Sequence, residues 1–115
     1  MTSSPKTYKT GDVVLIELSG RLTLGQPTSE LRSVVCSHLE DGERRFVLNL
    51  AEVTDTDSAG LGELVCSYTS IRKQGGDIKL LNLNAKLKER MEMTKLMTVF
   101  DAYDDQAAAV AALGG

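Results

Sequence analysis

The residues of this 115-residue chain best placed to do chemistry are Asp55-Thr56-Asp57-Ser58-Ala59-Gly60-Leu61-Gly62, a hydroxyl set among carboxylates and glycines. One reading is purely structural: Ser58 caps a helix, its hydroxyl accepting a backbone N–H two or three residues on, for about 1 kcal/mol. The neighbours argue for more. Gly60 and Gly62 would fall in the first helical turn, where each costs about 1 kcal/mol relative to alanine, and Leu61 rather than Glu or Gln takes the capping-box position. Small residues there leave the backbone uncovered beside a hydroxyl, which suits close approach by a protein kinase or another ATP-bearing partner.

The other reactive types are few. His38 is the single histidine, and Cys36 and Cys66 form no C-x-x-C pair, so no zinc set or disulfide framework is expected. Both cysteines are read as small buried hydrophobes within helices, and His38 as a cation suited to a helix end. A Ser58, His38 and Asp55 triad would have to be assembled by folding, and no G-x-S-x-G elbow supports it. Gly60-Leu61-Gly62 is only a fragment of a dinucleotide fingerprint, since Val65 stands where a small residue is needed and no Gly-Lys-Ser/Thr follows. No cofactor is expected.

Charge and hydropathy narrow the partners. Thirteen Lys+Arg against 16 Asp+Glu give a formal net charge of −3, with no basic stripe to track a phosphate backbone, so nucleic acid is not expected. Met1 to Thr10 is polar, and the longest apolar run, Ala107 to Leu113, is far short of a bilayer span. A cytoplasmic protein without membrane insertion is expected. The Met91, Met93, Met97 and Leu96 cluster is read as core filling, and Lys86, Lys88, Arg90 and Lys95 as a solvated basic face.

The elements that must position Asp55 to Gly62 read as alternating strands and helices. Thr7–Thr10 and Val13–Leu18 form a hairpin across Gly11-Asp12. A loop through Gly25 and Pro27 leads to Thr28 or Ser29 as N-cap of a helix carrying Leu31, Val34, Val35 and Leu39, which ends at Asp41-Gly42. Arg45–Leu50 is a strand. Leu61, Leu64, Val65, Tyr68 and Ile71 then mark one face of a helix running to about Gln74, with Ser58 as its N-cap. Ile78–Leu83 is the next strand, followed by a basic helix over Ala85–Met93 with Leu87 and Met91 inward, a short strand at Thr98–Phe100, and an Ala-rich helix from Asp104. The order β-β-α-β-α-β-α-β-α predicts one α/β domain over residues 1–115: a mixed, largely parallel sheet with helices packed on one face. Asp55 to Gly62 would lie at the carboxyl end of its strands, where open α/β sheets present ligands and partners.

Asp57-Ser58-Ala59-Gly60-Leu61-Gly62 resembles the D-S-[SA]-G-L-G signature of the STAS domain, in particular the anti-sigma factor antagonist family. The resemblance extends through Gly20-Arg21-Leu22, Leu48-Asn49-Leu50, Gly75-Gly76 and Phe100-Asp101, nearly the whole chain. It implies a protein that binds an anti-sigma factor which is also a serine kinase, freeing the sigma factor. Phosphorylation of Ser58 would break that complex and a serine phosphatase would restore it. Asp55, Asp57, Ser58, Ala59, Gly60, Leu61 and Gly62 would form the partner-binding surface, aided by Thr23, Leu24, Gly25 and Gln26. The free protein would be a monomer or weak dimer.

A phosphate at a helix start is compatible with the fold, while beside Asp55 and Asp57 it would build a negative patch that an interface rejects. Thr23 and Asn49 stand where many relatives carry aspartate, and Thr56 replaces an apolar residue. These departures support a second reading, a STAS interaction subunit of another assembly such as a stress-signalling scaffold or lipid-transport complex. A small nucleotide hydrolase is a third, for which the composition offers little equipment.

Overall fold

The structure, a computed structural model, describes residues 5–22 and 26–113. A five-stranded sheet runs in the order β1 (Lys6–Thr10), β2 (Val13–Leu22), β3 (Arg45–Thr56), β4 (Asp77–Leu81) and β5 (Ala102–Tyr103). Only β1 is antiparallel, paired with β2 as the expected hairpin; the other pairings are parallel. Between them run α1 (Gln26–Glu40), α2 (Ser58–Lys73) and α3 (Ala85–Met93), with α4 (Gln106–Ala112) last.

Alternation along the strands divides the core. Val14, Ile16, Leu18, Phe46, Leu48, Leu50, Ile78 and Leu80 point to one face, where Leu31 and Val35 of α1, Leu61, Leu64 and Ile71 of α2, and Leu87 and Met91 of α3 cover them. Three helices thus share a face, as right-handed crossovers dictate. The fourth departs from that one-face arrangement: Ala109 and Leu113 pack α4 on the opposite side, over Val13, Leu15, Val47 and Leu81. No strand follows α4, so no crossover constrains its side, and its alanines permit close approach to the sheet.

Several sequence boundaries move. α1 begins at Gln26, so Thr28 and Ser29 lie inside the helix instead of capping it. Pro27 falls in the first turn, where its missing N–H costs nothing. The end of α1 follows expectation: Gly42 adopts φ +92°, with Glu43 N–H donating to His38 O at 3.0 Å and Gly42 N–H to Leu39 O at 3.1 Å. β4 stops at Leu81 because Asn82 takes a left-handed conformation, φ +61°. The Thr98–Phe100 strand is absent: Leu96–Thr98 forms a 3-10 turn, and pairing begins at Ala102. Phe100 is drawn into the core, its ring edge-on to Tyr68 at 5.3 Å.

Both cysteines are exposed, contrary to the buried reading. Cys36 and Cys66 each follow an inward-facing valine, and one position carries a side chain about 100° round the helix. The methionine cluster is split in the same way. Met91 is buried, Met97 packs at the core margin, and Met93 is 75% exposed.

β2 and β3 are ten and twelve residues long against five in β4, so their carboxyl ends project beyond it. Register shifts at Glu17/Ser19 and Gly20/Arg21 bring Arg21 opposite Asp55 and Leu22 opposite Thr56. The projecting ends hand the chain into α2.

Candidate functional site

α2 opens on a tied-down junction. The Thr56 hydroxyl is buried and donates to Leu22 O at 2.6 Å, fastening the end of β3 to the end of β2. Asp57 comes next in extended conformation and is the N-cap: its Oδ1 accepts from Gly60 N–H at 2.9 Å and its carbonyl from Leu61 N–H at 3.0 Å. Ser58 is therefore not the cap expected from the sequence. With Thr56 holding the strand end, the turn falls one residue earlier and the aspartate meets the free amides. Ser58 becomes the first helical residue. It is exposed, and among the described residues its hydroxyl has no hydrogen-bond partner.

The two glycines are there for different reasons. A Cβ on Gly60 would overlap Leu22 O and Thr56 Oγ1, so the seam between α2 and the sheet requires glycine. Around Gly62 a Cβ would meet nothing within 4 Å. Packing does not explain Gly62, which leaves an open stretch of backbone one turn beyond Ser58.

Of the eight residues singled out, Thr56, Gly60 and Leu61 are turned inward. Leu61 is 8% exposed and belongs to the core with Leu64, because its helical phase points it at the sheet. The outer surface is made by Ser58 and Gly62, with Asp57 and Ala59 half-buried. Thr23, Leu24 and Gly25 lie outside the described residues. Gln26 is the first residue of α1, and the carbonyl of Leu22, just before the segment 23–25, sits against Gly60.

The electrostatics differ from the acidic patch foreseen. Asp55 accepts from Arg90 Nε at 2.7 Å and lies 3.1 Å from Lys86 Nζ. Arg90 first and the Thr56 N–H at 2.8 Å next hold its carboxyl well below the usual carboxylate range; burial opposes them, and Lys86 adds a smaller lowering. Lys86 and Arg90 are thus committed to Asp55 and are not a free solvated face. Further along α2, the buried Glu63 is held by Arg32 of α1, whose Nε donates at 3.1 Å.

Arg21, Asp55, Asp57, Ser58, Arg90 and Met93 line a cavity of about 580 Å³. Three of these, Arg21, Arg90 and Met93, were not among the expected site residues. Arg90 lies 35 positions from Asp55, and nothing local distinguishes it from its basic neighbours.

His38 is in the last turn of α1. α1 returns against the direction of β2, so a 15-residue helix of about 22 Å puts His38 at the other end of the sheet from Ser58, and no triad forms. Asn49 is bound into the sheet, accepting from Ala51 N–H at 3.0 Å and from Asn82 Nδ2 at 3.3 Å. Among the described residues no three His, Cys, Asp or Glu side chains are grouped as metal ligands, and no helix is long and apolar enough to cross a membrane.

The model of the STAS domain matches residues 4–109. The chain belongs to the STAS domain family. The anti-sigma F factor antagonist of Paenibacillus polymyxa is 26% identical over 106 residues, covering 88% of this chain and 86% of that protein. The fold is also that of an anti-sigma factor antagonist from Mycobacterium paratuberculosis, with TM-score 0.81, 20% identity, and 96% and 93% of the two chains covered. The anti-sigma factor antagonist SpoIIAA in its unphosphorylated form superposes with TM-score 0.73 at 18% identity, over 96% of this chain and 98% of its own.

Proposed function

We propose that this STAS domain is an anti-sigma factor antagonist that acts in the cytoplasm by occupying an anti-sigma factor with serine kinase activity, so releasing a sigma factor. Relatives carry the name anti-sigma factor antagonist, and SpoIIAA has been solved in both unphosphorylated and phosphorylated forms, which supports the reading. The observation that carries the reading is the exposed Ser58 hydroxyl, free of the capping duty that Asp57 has taken over, beside the open backbone at Gly62.

Ser58 is the phosphoacceptor in this reading. Its Oγ attacks the γ-phosphorus of the partner's ATP: the new O–P bond forms, the β–γ bridge breaks, ADP leaves, and the hydroxyl proton passes to a base of the kinase. The chain supplies a substrate hydroxyl and an interface, and performs no catalysis. The product carries about −1.5 to −2 charges at neutral pH. The fold tolerates it, because the amides of Ser58 and Ala59 precede the first N–H groups engaged by Asp57 and face the positive end of α2. A close-packed interface does not, since it would have to strip water from the dianion. A serine phosphatase resets the switch.

Labelling with the anti-sigma kinase and radioactive ATP tests the site. Wild type incorporates one phosphate and Ser58→Ala none; equal labelling of Ser58→Ala contradicts the assignment.

A further inference from the structure

The cavity beside Ser58 is lined by a cation, Arg21, that no carboxylate engages among the described residues. Asp55 is engaged by Arg90 and Lys86, and Asp57 Oδ1 by the Gly60 amide. Arg21 stands opposite Asp55 in the β2–β3 register, yet Asp55 turns to α3 for its partners. Among the described residues no carboxylate holds Arg21, and its exposed side chain lines the same cavity as Ser58. An arginine that no described carboxylate holds, lining the same cavity as an exposed hydroxyl, has the fork geometry to take two phosphate oxygens at once.

We infer that Arg21 is an intramolecular latch for phosphorylated Ser58, closing on the phosphoryl group while Arg90 stays on Asp55. This rests on Ser58 being the phosphoacceptor. The latch adds two consequences to the switch. It lays the Arg21 side chain across the cavity that a partner would fill, so phosphorylation alters the shape of the surface as well as its charge. It also shields the phosphate, so the phosphatase must displace Arg21 before hydrolysis.

Phosphoserine incorporated at position 58 during translation makes the test independent of any kinase, and phosphorus NMR reads the second ionisation of the phosphate across pH. Next to a paired cation that ionisation falls below its ordinary value of about 6, here by at least about 0.5 pH unit relative to Arg21→Gln. The same comparison cancels the contribution of the α2 dipole. Arg21→Lys is expected to recover part of the difference. Arg45→Gln, at the far end of the sheet beside Asp12, is expected to match wild type. Identical titrations in wild type and Arg21→Gln overturn the latch and leave partner switching untouched. A kinase that fails to label Ser58 counts against the switch without altering this titration.

Discussion

At the residue scale the decisive group besides Ser58 is Asp55. An aspartate in this position reads as a repulsive neighbour for a phosphate, but Arg90 and Lys86 neutralise it and bind α3 to the end of β3. Its folded-state pKa lies below its unfolded value, so its contribution is fully present above the unfolded pKa of about 4 and is lost as the pH falls through the folded one. Urea midpoints measured from pH 7 down to pH 2 should show wild type losing its advantage over Asp55→Asn progressively below about pH 4. A constant gap over that range contradicts the ion pair as drawn.

At the scale of elements the start of α2 separates fold from function within six residues. Asp57→Ala should cost about 1 kcal/mol of stability, the value of a lost cap, whereas Ser58→Ala should stay within about 0.5 kcal/mol of wild type. Gly60→Ala should cost about 2 kcal/mol, because its methyl must displace the Leu22 carbonyl or the Thr56 hydroxyl. Gly62→Ala should instead stabilise by about 1 kcal/mol, having open space around it, and weaken partner binding about tenfold by filling that space. Thermal or urea denaturation, with a binding titration for Gly62→Ala, checks the series. A Gly62→Ala variant that binds like wild type removes the functional reason for that glycine.

For the whole molecule, the order of the elements was legible because each apolar run and each helical stripe is local: Val13 to Leu18, Phe46 to Leu50 and the Leu61 to Ile71 face announce themselves. What escaped was set by contacts distant in sequence. Asp57 and Ser58 are both good caps, and the Thr56 tie to Leu22, 34 positions away, favours Asp57. The pairing of Asp55 with Arg90, which leaves Arg21 without a carboxylate among the described residues, depends on strands and helices brought together by the crossovers. The face chosen by α4 had no local signal, since no later strand fixes it.

The assembled domain exposes 6139 Å² of surface, and a standard interface of about 800 Å² per partner would take roughly an eighth of it, an area suited to one end of the sheet. In the proposed function Ser58, which lines the cavity at that end, is the hydroxyl whose phosphorylation would break the complex. The most direct test is calorimetric titration of the anti-sigma factor with the chain bearing serine or phosphoserine at position 58. The unmodified chain should bind about 100-fold more tightly, a difference of about 2.7 kcal/mol, in the range for a charge buried without a partner in an interface. Affinities within about threefold of one another, against a scale of 1.4 kcal/mol per tenfold, would contradict a phosphate-controlled interface at the start of α2.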